Sequence, residues 1–201
     1  MTDLSLAERL ADHTQRLILD SAVELLEETS VAELTVRAVA ARAGISERTV
    51  FRYFATREDF LDAVATEVSR SLALPPSPAT LEELLDYPAT LYRRFEAKAA
   101  LTKAALHTEL FHRMRNAQAG QRWVAVRQLL DRHAPKRSTR DRKLAAANIR
   151  YLLSATTWHY YRFYFGFGLD ETIECAQTAI RQAVDGLGAL KLKPRGAPKK
   201  A

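Results

Sequence analysis

At 201 residues the chain is long enough to bury a real core and suits one or two domains. With 47% hydrophobic and 27% charged residues it is too apolar for wholesale disorder, yet no apolar run approaches ~18 residues, which excludes a membrane-spanning helix. The formal net charge of +6 suits a polyanionic partner, but its placement matters more than its sum.

Apolar residues recur at three-to-four spacing and never alternate cleanly, so an all-α fold is expected. Asp12 and Gln15 have the spacing of a capping box, which predicts a first helix with Ile18, Ala22, Leu25 and Leu26 on its apolar face, preceded by an N-terminal arm over 1–12. Thr35 is expected to cap a second helix that Gly44-Ile45 breaks. Ser46 caps a third to about Phe54, and Thr56 with Asp59 caps a fourth carrying Phe60, Leu61, Val64 and Val68. Pro75, Pro76 and Pro78 make 71–79 a stiff linker between a first helical domain over 1–70 and a second helical domain over 80–190. Within the latter, Thr80 with Glu83 opens a helix interrupted or kinked near Pro88. Others are predicted at 102–117 and 121–134, separated at Gly120 and stopped by Pro135, then at 138–165 and 170–190. The end, rich in Lys191, Lys193, Arg195, Lys199 and Lys200, reads as a disordered basic tail over 191–201.

Charge singles out two segments. Residues 1–70 hold 8 arginines, no lysine and 13 acids, a balance of −5, so this half is not globally basic. Within 31–57, however, Arg37, Arg42, Arg48, Arg52 and Arg57 face only Glu33 and Glu47. A second focus at 113–143 sets ten Lys/Arg against Asp131 and Asp141; solvated helix faces explain such a run more simply than an anionic effector does.

The first focus coincides with a helix-turn-helix pattern over Leu34–Phe54. Two helices crossing steeply over a short turn need a small residue at the contact and a glycine in the turn; Ala40 and Gly44 supply both, and Val39, Val50 and Phe54 the seam. At about 100° per residue, Val50 and Phe54 face inward, so Arg48 and Arg52 project outward with Thr49 beside them. Arginine can hold guanine O6 and N7 bidentately in a major groove. Thr35, Thr49 and Tyr53 offer hydroxyls to phosphates, the free amides at Thr35 and Ser46 add anion sites, and Arg37 lies in the first turn of the second helix.

These residues carry a specific resemblance. Arg16 with Ile18-Leu19 and Ala22, Leu34-Thr-Val, Ala40-x-x-Ala43-Gly-Ile-Ser, Thr49-Val-Phe-Arg-Tyr-Phe54 and Arg57-Glu58-Asp59-Phe60 resemble the N-terminal domain of tetracycline-repressor-like (TetR-family) regulators, over about a quarter of the chain. The resemblance implies Thr35, Arg37, Ser46, Glu47, Arg48, Thr49, Phe51, Arg52, Tyr53 and Arg57 as the DNA-facing set. Ser30 stands where that family usually ends its first helix with glycine, Phe51 where tyrosine is usual, and Arg57 where lysine is usual. It also implies a C-terminal effector-binding and dimerisation domain whose last two helices pair across a two-fold axis. Ala145, Ala147, Ala155, Ala176, Ala179 and Ala183 offer the small residues such packing uses. The protein expected is a homodimeric repressor that binds a palindromic double-stranded DNA operator and is released by a small apolar or amphipathic effector.

Most of the many aromatics past residue 80 should fill core or interface. A subset, Phe95, Phe111, Trp123 and Trp158, with His107, Tyr151, His159 and Arg162 as polar members, is the candidate lining of an effector pocket. Two rivals compete: a DNA-binding or architectural protein without effector, and a helical metal-carboxylate enzyme suggested by Glu109-x-x-His112. The latter needs a second such motif, which is missing. Serine hydrolase, P-loop and dinucleotide motifs are also missing, so neither enzyme activity, cofactor nor metal is expected. Cys175, alone, cannot form an intramolecular disulfide. The start, with Asp3 and Glu8, is unlike a secretory leader, so a cytoplasmic protein, nucleoid-associated when DNA-bound, is expected.

Overall fold

A computed structural model describes residues 5–28, 34–107 and 109–188. Ser30 and the basic tail over 191–201 lie outside the described residues, as does the Phe111 side chain. Among the described residues every regular element is helical: α1 (Leu6–Glu28), α2 (Val36–Arg42), α3 (Glu47–Tyr53), α4 (Arg57–Ser71), α5 (Leu81–Ala97), α6 (Ala99–Leu106), α7 (Glu109–His133), α8 (Thr139–Leu152), α9 (Ala155–His159) running into a π-helical turn (Tyr160–Tyr164), and α10 (Leu169–Gly186). No described helix is long and apolar enough to cross a membrane.

The chain divides into two compact units, Met1–Pro75 with Arg93–Ala119, and Pro76–Tyr92 with Gly120–Ala201. This division differs from the expected 1–70 and 80–190. The reason is apolar packing: Leu101, Ala104, Ala105 and Leu110 are buried in the same cluster as Ile18, Val39, Phe54, Phe60 and Val64, and α6 lies on α1. Burial of that area decides membership, and a proline-rich segment only marks where the chain leaves.

In the first unit, α1 begins at Leu6, so residues 6–12 are helix and not arm. Ser5 Oγ accepts from the Glu8 amide at 3.3 Å and Glu8 Oε2 accepts from the Ser5 amide at 2.8 Å. That reciprocal pair is a capping box, and Ser-x-x-Glu is a stronger start signal than Asp12-x-x-Gln15. Lys98 holds Glu27 at 3.0 Å, and Arg113 on α7 reaches Asp62 at 2.6 Å and pairs with Glu58 on α4. All three pairs are partly exposed and add little to the apolar cluster's stabilisation.

The second unit has its own core, with Leu84, Leu91, Leu129, Leu130, Ile149, Trp158, Ile180 and Val184 buried. Tyr92 donates its hydroxyl to the Leu152 carbonyl at 2.5 Å, and burial pushes its ionisation well above the usual tyrosine range. Three expected helix boundaries moved. Gly120 does not interrupt α7, because one interior glycine costs about 1 kcal/mol and the buried Leu110, Val126, Leu129 and Leu130 along that helix more than offset it. Pro88 likewise lies inside α5.

The third change is a break at Leu153-Ser154 where one helix over 138–165 was expected. Ser154 Oγ accepts from the Thr157 amide at 3.2 Å and caps α9, and both hydroxyls donate to the Tyr151 carbonyl, at 2.6 and 2.7 Å. Side-chain hydroxyls have taken over backbone groups that the helix ladder would have used. The π-helical turn then closes with the Phe165 amide on the Tyr160 carbonyl at 3.0 Å, and Gly166, at φ +74°, ends it.

Candidate nucleic-acid interface

The expected turn between α2 and α3 forms by a definable device. Gly44 takes φ +68°, its amide reaches the Ala41 carbonyl at 3.3 Å and the Ile45 amide reaches Ala40 at 3.0 Å. This is a Schellman closure, which needs a left-handed residue after the helix. A Cβ on Gly44 would meet nothing within 4 Å, so glycine is required for its backbone and not for space. Thr35 Oγ1 accepts from the Ala38 amide and Ser46 Oγ from the Thr49 amide, both at 3.1 Å, so both helix starts are capped as expected.

Val39, Ala40, Val50 and Phe54 are buried, and Phe54 meets Phe60 edge-on with centroids 5.7 Å apart. With Val50 and Phe54 inward, Glu47, Arg48, Phe51 and Arg52 lie exposed along α3, while Thr49 and Tyr53 are half-buried. Arg37 is exposed on α2, and Thr35 and Ser46 are exposed at the two helix starts. The Arg52 guanidinium sits 5.2 Å from the Tyr53 ring centre. A hydrogen bond with Thr14, and after it one with Arg52, lowers the Tyr53 hydroxyl from its usual range.

The five arginines of 31–57 are not equivalent. Arg42 holds Glu24 at 3.3 Å and Glu28 at 2.5 Å, which lowers the Glu28 carboxyl. Arg57 holds Glu109, one oxygen at 3.2 Å and the other closer, and this pairing lowers the Glu109 carboxyl. The carboxylate of the Glu109-x-x-His112 pair is therefore engaged by an arginine. Among the described residues no three His, Cys, Asp or Glu side chains converge as a metal site. Arg37 and Arg48 have no ion pair among the described residues, and Arg52 meets only its neighbour Tyr53. The sequence count of five thus reduces to three cations facing outward, because tertiary folding brought acids of α1 and α7 to the other two.

The candidate effector lining is placed differently from expectation. Phe95 and His107 belong to the first unit, Phe95 buried and His107 exposed at the end of α6. In the second unit Trp158 is 0% exposed and packs edge-on against Phe163, with His159 adjoining both. Trp158 is a core residue. Tyr151 is 63% exposed, Trp123 stacks beneath Arg127 at 5.7 Å, and Arg162 donates to the Phe167 carbonyl at 2.5 Å. A cleft does exist in this unit, but Ser77, Tyr87, Arg122, Val126, Arg150 and Leu153 line it, and none of the seven candidates with described side chains does. Its members come one or two at a time from four separate segments, so no local pattern announced them.

The second basic focus is mostly structural. Arg142 Nε holds Asp131 at 2.6 Å and its Nη1 reaches the carbonyls of Ala134 and Arg137; Arg137 donates to Leu187 at 3.1 Å and Arg132 to Ala79 at 3.3 Å. Of the small residues proposed for helix approach, Ala145 and Ala176 are buried within the chain's own core, where α8 and α10 pack together, and Ala147 is exposed.

A capped helix pair with a left-handed glycine turn, an apolar inner seam and outward arginines that have no ion pair among the described residues defines the class of helix-turn-helix transcriptional regulators. Residues 18–64 match the family model for bacterial regulatory proteins of the tetR family. No match was found among proteins of curated function. Several solved structures share the fold. A TetR-like regulator from Rhodococcus sp. RHA1 is 14% identical, covering 86% of this chain and 96% of that one, with a TM-score of 0.59. NalD, the secondary repressor of the MexAB-OprM multidrug efflux pump in Pseudomonas aeruginosa, is 15% identical over 86% and 97%, at 0.57. A tetR-family regulator from Streptomyces coelicolor is 15% identical over 93% and 92%, at 0.59.

Proposed function

We propose that the chain is a cytoplasmic, effector-responsive repressor that binds a palindromic operator as a homodimer and associates with the nucleoid when so bound. The observation that carries this reading is the α3 surface, where Arg48 and Arg52 lie outward from a capped, core-anchored helix with no acidic partner among the described residues. Arg48 and Arg52 are assigned to base edges, with Arg37, Thr35, Ser46, Thr49 and Tyr53 on phosphates and Glu47, Phe51 and Arg57 flanking them. One short helix reads too few base pairs for genomic specificity, so two copies should read half-sites about one DNA turn, ~34–36 Å, apart. Self-association through the second unit is supported by its exposed apolar side chains, among them Leu144, Tyr151, Tyr160, Phe163, Tyr164 and Phe165. Removing such surface from water is favourable by about 25 cal/mol per Å². NalD is the secondary repressor of a multidrug efflux pump; for this chain, coupling of repression to a small molecule is proposed for the second unit.

Selection of DNA from a random library by the full-length protein, with light scattering on the same sample, tests the reading. An enriched inverted repeat and a dimer are expected; a monomer at micromolar concentration, or enrichment of no sequence, overturns it. Glu109→Gln provides a sharper check on Arg57. Freed from its carboxylate, Arg57 becomes available to phosphate, so affinity for unrelated duplexes should rise. The slope of log affinity against log salt should steepen by about 0.9 per protomer. A fluorescence-anisotropy salt titration reads both.

A further inference from the structure

The cleft of the second unit has a composition that its surroundings do not neutralise. Arg122 and Arg150 face it with the hydroxyls of Tyr87 and Ser77, Val126 and Leu153 supply apolar wall, and no carboxylate lines it. Arg122 is half-buried and, among the described residues, has neither a hydrogen-bond nor an ion-pair partner. Its neighbours in sequence differ: Arg127, Arg132, Arg137 and Arg142 each have a carboxylate or carbonyl. Burial pulls the Arg122 guanidinium below its ordinary range, with Tyr87 opposing the shift. Arg150 is anchored at one nitrogen, Nη1, on the Leu153 carbonyl at 2.6 Å, which fixes a second cation at the same wall.

A desolvated cation without a counter-charge is costly, and a fork of N–H donors fits the two oxygens of an oxyanion. We propose that this cleft binds the oxyanion head of a small amphipathic organic acid, with Arg122 as its charge partner, Arg150 and Tyr87 beside it, and Val126 and Leu153 against its apolar part. The space at its floor is about 10 Å³, room for one oxygen-sized group, so one oxygen of the head enters while the rest of the head and the apolar part lie towards the open mouth. Ser77 belongs to the segment between α4 and α5, so a bound anion touches the stretch of chain that leads to the helix-turn-helix. This assignment deepens the effector reading and rests on it, because it names the ligand class and the residues.

Calorimetry and thermal unfolding of the full-length protein without DNA test it, with octanoate, octyl phosphate and octanol as probes. Octanoate or octyl phosphate should raise Tm by about 5–10 °C at a hundredfold excess over Kd, and octanol should not; whichever anion binds tighter identifies the head group. Arg122→Gln should weaken the anion about 10- to 100-fold, whereas Arg140→Gln, at an exposed site on α8, should leave it unchanged. Octanol matching the acids, neither acid binding, or Arg122→Gln binding as well as wild type overturns the proposal. The wild-type comparison of acid with alcohol stands whether or not a variant folds. An octanol-type ligand that releases operator DNA would leave the effector reading intact while removing this one.

Discussion

Arg52→Ala is expected to relax operator discrimination at one base per half-site while leaving the fold intact, and Arg48→Ala to do the same at a neighbouring base. A bidentate arginine–guanine contact is worth about 1–3 kcal/mol, and a dimer makes it twice, so each substitution should cost about 2–6 kcal/mol of specific binding. Non-specific affinity should fall far less, because phosphate contacts supply it and each variant loses one charge per protomer. Both side chains are exposed and, among the described residues, neither holds a carboxylate, so unfolding free energy should move by no more than about 0.5 kcal/mol. Arg52 adds one qualification of size: its stacking over Tyr53 is worth about 0.5–1 kcal/mol at an exposed site. Anisotropy titrations on a selected operator and on a scrambled duplex separate the two effects. Unchanged operator affinity for Arg52→Ala would mean that this face of α3 does not meet bases.

Trp158→Ala is the second large effect, and it decides between two roles for one residue. The indole is wholly buried, with Phe163 edge-on at 5.4 Å and His159 at 6.4 Å. Truncating such a side chain removes its transfer energy and leaves a cavity, together about 3–5 kcal/mol. That is a large part of the roughly 5–15 kcal/mol of a typical domain, and corresponds to a Tm fall of about 6–20 °C. Chemical denaturation followed by circular dichroism measures it. A residue lining an effector pocket would instead lose ligand affinity at little cost in stability, so a loss under about 1 kcal/mol would return Trp158 to the candidate lining.

The contrast between these two residues shows what kind of information is local. Arg52 could be placed because its surroundings are its own helix: with Val50 and Phe54 inward, the rotation of 100° per residue leaves position 52 no choice. Trp158 could not, because aromatic residues fill cores and line pockets alike, and only the packing of the second unit around it distinguishes the two. Arg57 lies between the cases. Its position after the Thr56 cap was legible, but its partner Glu109 stands 52 residues away and became visible only when α7 was in place.

The sequence by itself determined the helix-turn-helix, since the caps at Thr35, Ser46 and Thr56 and the turn at Gly44 close within a few residues, and the apolar seam joins helices eleven to fifteen residues apart. It also determined the all-helical class, because apolar periodicity records which face of each helix must leave water. Tertiary structure alone decided that 93–119 joins the first unit, that α7 passes Gly120 and that the helix after Ser138 breaks at Ser154. In each case a local preference of about 1 kcal/mol competed with burial or hydrogen bonding supplied elsewhere. Only tertiary structure, too, could assemble Tyr87, Arg122 and Arg150 in one cleft, because cations from separate helices share no spacing rule. Short-range geometry is written in neighbouring residues; the pairing of distant charges is set by how the helices pack.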